Sequence, residues 1–242
     1  MIQIRQINTL TSILLVLLLN VSCKGEIKHV DVSVREKVEE KQPVKQVVKV
    51  AVNTLSRGDF DSLLNSGIID NIDYKGDFVA CYKILDKSGD YYLILTHDYD
   101  SKIIYSYYAE KKAFESKLIW DLNDSVVQKD YSEEYDINFL KDFIHVADLD
   151  NDELVDVVLT YKTKSKEDYD RLKIVIFHKN IKTVIDHEGA SLDDERETKI
   201  GESFYSLPKS IKQTVFTDMK KLNSNVLSIN SDVLEKIEAN LN

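Results

Sequence analysis

Four runs rich in β-branched and aromatic residues follow one another between Asp77 and Trp120: DFVACYKIL, DYYLILTHD, KIIYSYYAE and FESKLIW. The stretches DKSGD and DYDS punctuate them. Strand formers broken by short turn signals predict a meander of antiparallel strands. FIHVADLDNDELVDVVLTYK then reads as strand, acidic loop and strand, and RLKIVIFHK and KTVIDH add two more strands. The chain has only 7 Gly and 2 Pro in 242 residues, too few for hairpins alone, so helices are expected beside the sheet. Past Ser203 the period changes. Pro208 suits a first helical turn, and Ile211, Val215, Phe216, Met219 and Leu222 fall on one face. A last helix is expected from Ser231 as N-cap, burying Val233, Leu234, Ile237 and Leu241. The fold class is therefore α+β, a mainly antiparallel sheet with C-terminal helices.

Two stretches read less clearly. Val47, Val50, Ala51 and Leu55 have helical spacing, which predicts a helix up to a break at Gly58. The Arg57-Gly58-Asp59 triplet reads as a plain turn. Asp121 to Asp142 is polar and acidic and reads as a long loop or short helix. Tyr91, Tyr92, Tyr105, Tyr107 and Tyr108 could stack on sugar rings, but packing on a half-exposed sheet explains them more simply.

The N-terminus reads as an address. Arg5 gives a positive start, and TLTSILLVLLLNVS is apolar, too short to span a bilayer and the length of a signal-peptide core. It ends at Ser22-Cys23, as in the lipobox of bacterial lipoproteins, although Asn20 stands where that motif has an aliphatic residue. Residues 1–22 are thus expected to be a signal peptide and Cys23 the lipidated residue. Residues 23–43, rich in Lys, Glu and Val, are a flexible tether, and residues 44–242 form one globular domain. Such a protein would sit in the cell envelope, on the outer membrane. With Cys23 lipidated, Cys81 has no disulfide partner, and its apolar run makes it a buried, inert thiol. The net charge is -10, which argues against nucleic acid as a partner.

VADLDNDELVDVV, from Val146 to Val158, carries the clearest chemistry. Asp148, Asp150, Asp152 and Asp156 occupy positions 1, 3, 5 and 9 of a short loop, with the Leu154 carbonyl at position 7. Calcium takes six to eight oxygen ligands, and alternate carboxylates of a curled loop supply them. The spacing resembles the calcium loops of integrin-type propeller repeats. An EF-hand would need a Glu at position 12, where this chain has Leu159, and flanking helices rather than strands. Such loops place Gly at position 6, for a positive φ. Here Glu153 stands there, at an expected cost of roughly 1–2 kcal/mol. The expected role is a structural calcium ion. The competing reading is an empty acidic turn.

IDHEGASLDDERETKIGESFYSLPKSIKQTV holds His187, Glu188, Asp193, Asp194, Glu195 and Arg196. It reads as a charged loop with a capping box from Ser191 to Asp194, or as a functional cluster. The acidic loop, LDDER and FYSLP together resemble a family of secreted or lipid-anchored Bacteroidetes proteins known for surface polysaccharide biosynthesis. The resemblance covers Phe143 to Asn223. It rests on Asp148, Asp150, Asp152 and Asp156, on His187, Asp194, Glu195 and Arg196, and on Phe204, Tyr205, Ser206, Leu207 and Pro208. It implies a place in the envelope and a glycan theme, without a reaction. The expected function is a non-catalytic lipoprotein that binds glycans or envelope proteins. The alternatives are a glycan-active enzyme using Asp193, Asp194 and Glu195, and an interaction protein with an empty acidic loop.

Overall fold

The computed structural model describes residues 49–113, 115–129, 132–166, 169–190, 196–225 and 229–241. The signal peptide, Cys23, the tether, and the loop residues Asp193, Asp194 and Glu195 lie outside the described residues, as does the expected capping box at Ser191. The described chain is α+β, as its patterning predicts.

One sheet has five antiparallel strands in sequence order: β1 (Ala51–Leu55), β2 (Asp77–Asp86), β3 (Gly89–Asp98), β4 (Ile103–Lys111) and β5 (Ser116–Ser125). This is the expected meander. The second sheet contains β6 (Gln128–Lys129), β7 (Ser132–Phe139), β8 (His145–Ala147), β9 (Asp156–Ser165), β10 (Arg171–His178), β11 (Ile181–Glu188) and β12 (Glu197–Ile200). Its strands run in the order β12-β11-β10-β9-β7-β6, and β8 pairs with β9. The helices are α1 (Arg57–Asn65), α2 (Lys209–Asn225) and α3 (Ser231–Leu241).

Alternation along the strands builds layers. Ile84, Leu93, Leu95, Ile104 and Tyr108 of the first sheet face Ile137, Phe139, Val157, Leu159, Tyr161, Val175 and Phe177 of the second. The intervening β10 residues Leu172, Ile174 and Ile176 point the other way, onto Ile211, Val215, Phe216, Met219 and Leu222 of α2 and Ile237 and Leu241 of α3. The second sheet is therefore buried on both faces, which is why RLKIVIFH reads as a nearly unbroken apolar run. The outer face of the first sheet packs Cys81, Tyr92, Ile94 and Tyr107 under Phe60 and Leu63 of α1 and under Ile69 and Ile72. Helix, sheet, sheet and helices follow in order. The tyrosines serve this packing. Tyr91, Tyr108, Trp120 and Phe177 stack in a ladder that passes from one sheet to the other. Cys81 is fully buried and its thiol is pushed up to about 12 by desolvation, so it is inert as expected.

Four expectations change. Residues 51–55 form β1 rather than a helix, because pairing with β2 and packing of Val52 and Leu55 on the two faces outweigh a short helical spacing. Arg57-Gly58-Asp59 opens α1, whose N-cap Ser56 and Asp59 form a reciprocal capping box. Asp121 to Asp142 is mostly strand, in β5, β6 and β7. At α3 the cap moves by one residue, since the Asn230 carbonyl accepts from Val233 and Leu234. No helix of the described residues is long and apolar enough to cross a membrane.

Candidate metal centre

The acidic loop joins edge strand β8 to central strand β9, so it sits where the second sheet meets the first. It curls as its spacing predicts. Glu153 takes φ 67° and Asn151 φ 62°, both left-handed. Asn tolerates that region, whereas a glutamate pays a steric penalty there. The carboxylates of Asp148, Asp150 and Asp152 lie within 4.8 Å of one another. A second trio, Asp150, Asp156 and the His178 imidazole, meets the same limit and shares Asp150. Both clusters could hold a metal ion.

Backbone donors shape the cluster from inside. Asp148 accepts from the Asp152 N–H at 3.0 Å and the Glu153 N–H at 3.0 Å. Asp152 accepts from Leu154 N–H at 3.0 Å. Asp156 is 1% exposed, and both its oxygens are engaged, one by Leu149 N–H at 2.9 Å and one by His178 Nδ1 at 2.8 Å. Asp150 is the least satisfied member. It accepts a long 3.3 Å bond from Asp152 N–H, and its other oxygen lies 4.0 Å from His178 Nε2.

Two hairpin turns bring cations to the loop. At the β2–β3 turn the Lys87 N–H donates to the Glu153 carbonyl at 3.1 Å, and its ammonium reaches the Asp152 carbonyl. Asp86, buried at the same turn, accepts from Val155 N–H at 3.1 Å and from Ser88 and Gly89 N–H. At the β10–β11 turn Lys179 and Asn180 have φ 51° and 62°, as a tight primed hairpin requires, and Lys179 Nζ lies 2.9 Å from Asp152. Burial alone would raise the Asp152 carboxyl, but Lys179, the Leu154 N–H and Lys87 hold it below its ordinary value. Burial wins at Asp156, whose carboxyl is raised despite its bonds to His178 and Leu149. The loop is thus clamped to the first sheet by one turn and to its own sheet by the other.

The expected aspartates therefore fall into two trios that share Asp150, with Asp156 on the buried side beside His178, while Leu154 enters through its N–H to Asp152. Asp86, Lys87, His178 and Lys179 were not expected. Each lies in or beside a hairpin turn far away in sequence; DKSGD marks the turn that holds Asp86 and Lys87, but nothing local says that either turn reaches the loop. Of the second expected cluster only His187 and Arg196 are among the described residues, since Asp194 and Glu195 lie outside them. His187 is 1% exposed, its Nδ1 paired with Thr198 Oγ1 at 2.8 Å and its Nε2 buried without a partner. Desolvation lowers it to about 4, with Arg196 and Lys162 adding to the shift, so it is a neutral core imidazole. Arg196 Nε donates to the Ala190 carbonyl at 3.1 Å.

A second polar cluster spans the far end of the intersheet space. Arg171 makes two bonds to buried Glu134, at 2.6 and 2.9 Å, and a third to the Ser125 carbonyl at 2.8 Å. Asp124 takes Lys173 at 3.0 Å and Tyr161 Oη at 3.0 Å. Its carboxylates are consumed by fixed cations, as in a structural network. Comparison of the chain with models of known families, with curated proteins and with solved structures gives no match.

Proposed function

We propose that this chain is a lipid-anchored envelope protein that binds surface glycans or their assembly partners without turnover, and that a structural calcium ion stiffens its domain. One observation carries the reading: the 148–156 loop gathers three carboxylates within 4.8 Å at a point where both sheets grip it. An ion there would be held by Asp148, Asp150 and Asp152, with Asp156 bracing the loop through Leu149. An oxygen-only set of this kind suits a hard cation, of which calcium is the one that tolerates irregular geometry. The ion would supply cross-linking between loop and sheets. The anchor is supported by the apolar segment ending at Ser22-Cys23 and by the polar stretch after it. The glycan theme is supported by the resemblance carried by the acidic loop and FYSLP.

The enzymatic alternative gains nothing from His187, which is buried and neutral. The test uses purified full-length chain with extracted surface polysaccharide. Retention of the polysaccharide with no change in its chain length or composition is expected. A defined cleavage or transfer product would contradict the reading.

A further inference from the structure

His178 has no part in the calcium reading, yet it stands against two of the loop's aspartates. It closes β10, and Asp156 opens β9. The register that sets Phe177 opposite Val157 brings the two side by side. Alternation turns both toward the helix face, with Ile176 and Val158. Asp150 reaches them from the loop, and one ligand atom from each of the three lies within 4.8 Å of the others. The side chains of His178, Asp150 and Asp156 are only 13%, 10% and 1% exposed.

Asp156 fixes the imidazole ring. One of its oxygens accepts from Leu149 N–H, and the other lies 2.8 Å from His178 Nδ1. A carboxylate only accepts, so Nδ1 carries the proton and Nε2 keeps its lone pair. That lone pair faces Asp150 Oδ2 across 4.0 Å, too far for a hydrogen bond. No hydrogen bond among the described residues reaches this oxygen, and Asp150 Oδ1 accepts only the long 3.3 Å bond from Asp152 N–H. A nine-tenths buried carboxylate oxygen turned on a nitrogen lone pair is repulsive, and a cation between the two makes it attractive. Two ligand atoms of a tetrahedral zinc ion lie about 3.4 Å apart, so closure by about 0.6 Å seats such an ion. A carboxylate on one ring nitrogen, orienting the other toward metal, is the usual support of a histidine ligand. The imidazole also sets the choice of ion. Calcium and magnesium take oxygen, whereas nitrogen beside a carboxylate suits zinc and its neighbours. Lys179 lies on Asp152, in the other trio.

We propose that His178 Nε2 and Asp150 Oδ2 bind a second metal ion, a divalent transition ion of the zinc class. Asp156 is the positioning residue, and water completes the shell. Asp150 turns one oxygen toward Asp152 and the other toward His178, so it belongs to both metal positions. The inference stands without the calcium reading, since His178 is no calcium ligand.

The experiment is calorimetric titration of full-length chain in detergent with zinc alone, calcium alone and magnesium alone. Zinc binds the native chain. His178→Gln loses zinc and keeps calcium, Asp148→Asn loses calcium and keeps zinc, and Asp150→Asn loses both. Asp156→Asn weakens zinc by about 10- to 100-fold, the scale of a lost orienting carboxylate. Nitrogen-15 NMR of the native imidazole shows zinc on Nε2 with the proton kept on Nδ1, a readout that a merely structural Asp156 would not give. Thermal unfolding checks each variant, and the imidazole spectrum carries the test if His178→Gln does not fold. Zinc that fails to bind, that binds His178→Gln as tightly as the native chain, or that sits on Nδ1 overturns the proposal. So does zinc lost in Asp148→Asn, which would place it in the oxygen trio. Calcium that binds no variant or native chain, with zinc still lost in His178→Gln, sinks the calcium reading and leaves this one standing.

Discussion

Glu153 sits at φ 67° in the tightest part of the acidic loop, where sequence spacing alone demands a glycine. Replacing it should remove a steric penalty of about 1–2 kcal/mol and add about 0.5–1 kcal/mol of backbone entropy cost. Glu153→Gly is therefore expected to stabilise the domain by about 0.5–1 kcal/mol in chemical denaturation; a loss of stability would mean that the loop's curl is held by the glutamate side chain. His187 makes the second prediction at this scale. Its folded value lies near 4, below the ordinary 6.5, so the unfolded chain binds the extra proton first. Its contribution is complete above pH 6.5 and is lost as pH falls toward 4, by up to about 3 kcal/mol. His97, also lowered by burial, acts in the same direction. Stability measured from pH 7 to 4 should fall less steeply in His187→Gln than in the native chain.

Elements were legible where both local pattern and burial agreed. The meander from β2 to β5 and the α2 stripe of Ile211, Val215, Phe216, Met219 and Leu222 are of that kind. β1 was not, because five residues in AVNTL cannot separate a period of 2 from one of 3.6, and the pairing with β2 that decides it is non-local. β7 was masked by Glu134, a buried carboxylate that stands where an apolar residue would announce a strand and is neutralised by Arg171 from β10. The same holds for the centre. Asp148 to Asp156 are contiguous and could be read directly, while Lys87, His178 and Lys179 arrive through hairpins. Two predictions belong here. Ser56→Ala removes the α1 capping box and should cost about 1 kcal/mol by equilibrium unfolding. Lys179 competes with a bound cation for Asp152, so Lys179→Met should tighten calcium binding roughly two- to fivefold by calorimetry, the scale of an exposed ion pair. Weaker binding in that variant would place Lys179 as a support of the site.

Across the whole molecule, two sheets share one apolar interior, and the acidic loop lies at its rim. Asp86 and Lys87 tie the first sheet to Val155, Glu153 and Asp152, so whatever fixes the loop fixes the sheets to each other. An ion bound only by the folded arrangement adds its binding energy to the stability of both. The most direct measurement is the thermal unfolding midpoint of the purified chain in rising calcium and then in excess chelator, beside Asp150→Ala. At a hundredfold excess over its dissociation constant the ion adds about 2.7 kcal/mol, which lifts the midpoint by about 5–10 °C in a domain of this size. The account predicts that rise in the native chain, its reversal by chelator, and a flat response in Asp150→Ala. A midpoint indifferent to calcium, chelator and mutation alike would contradict it and leave VADLDNDELVDVV a hydrogen-bonded acidic turn.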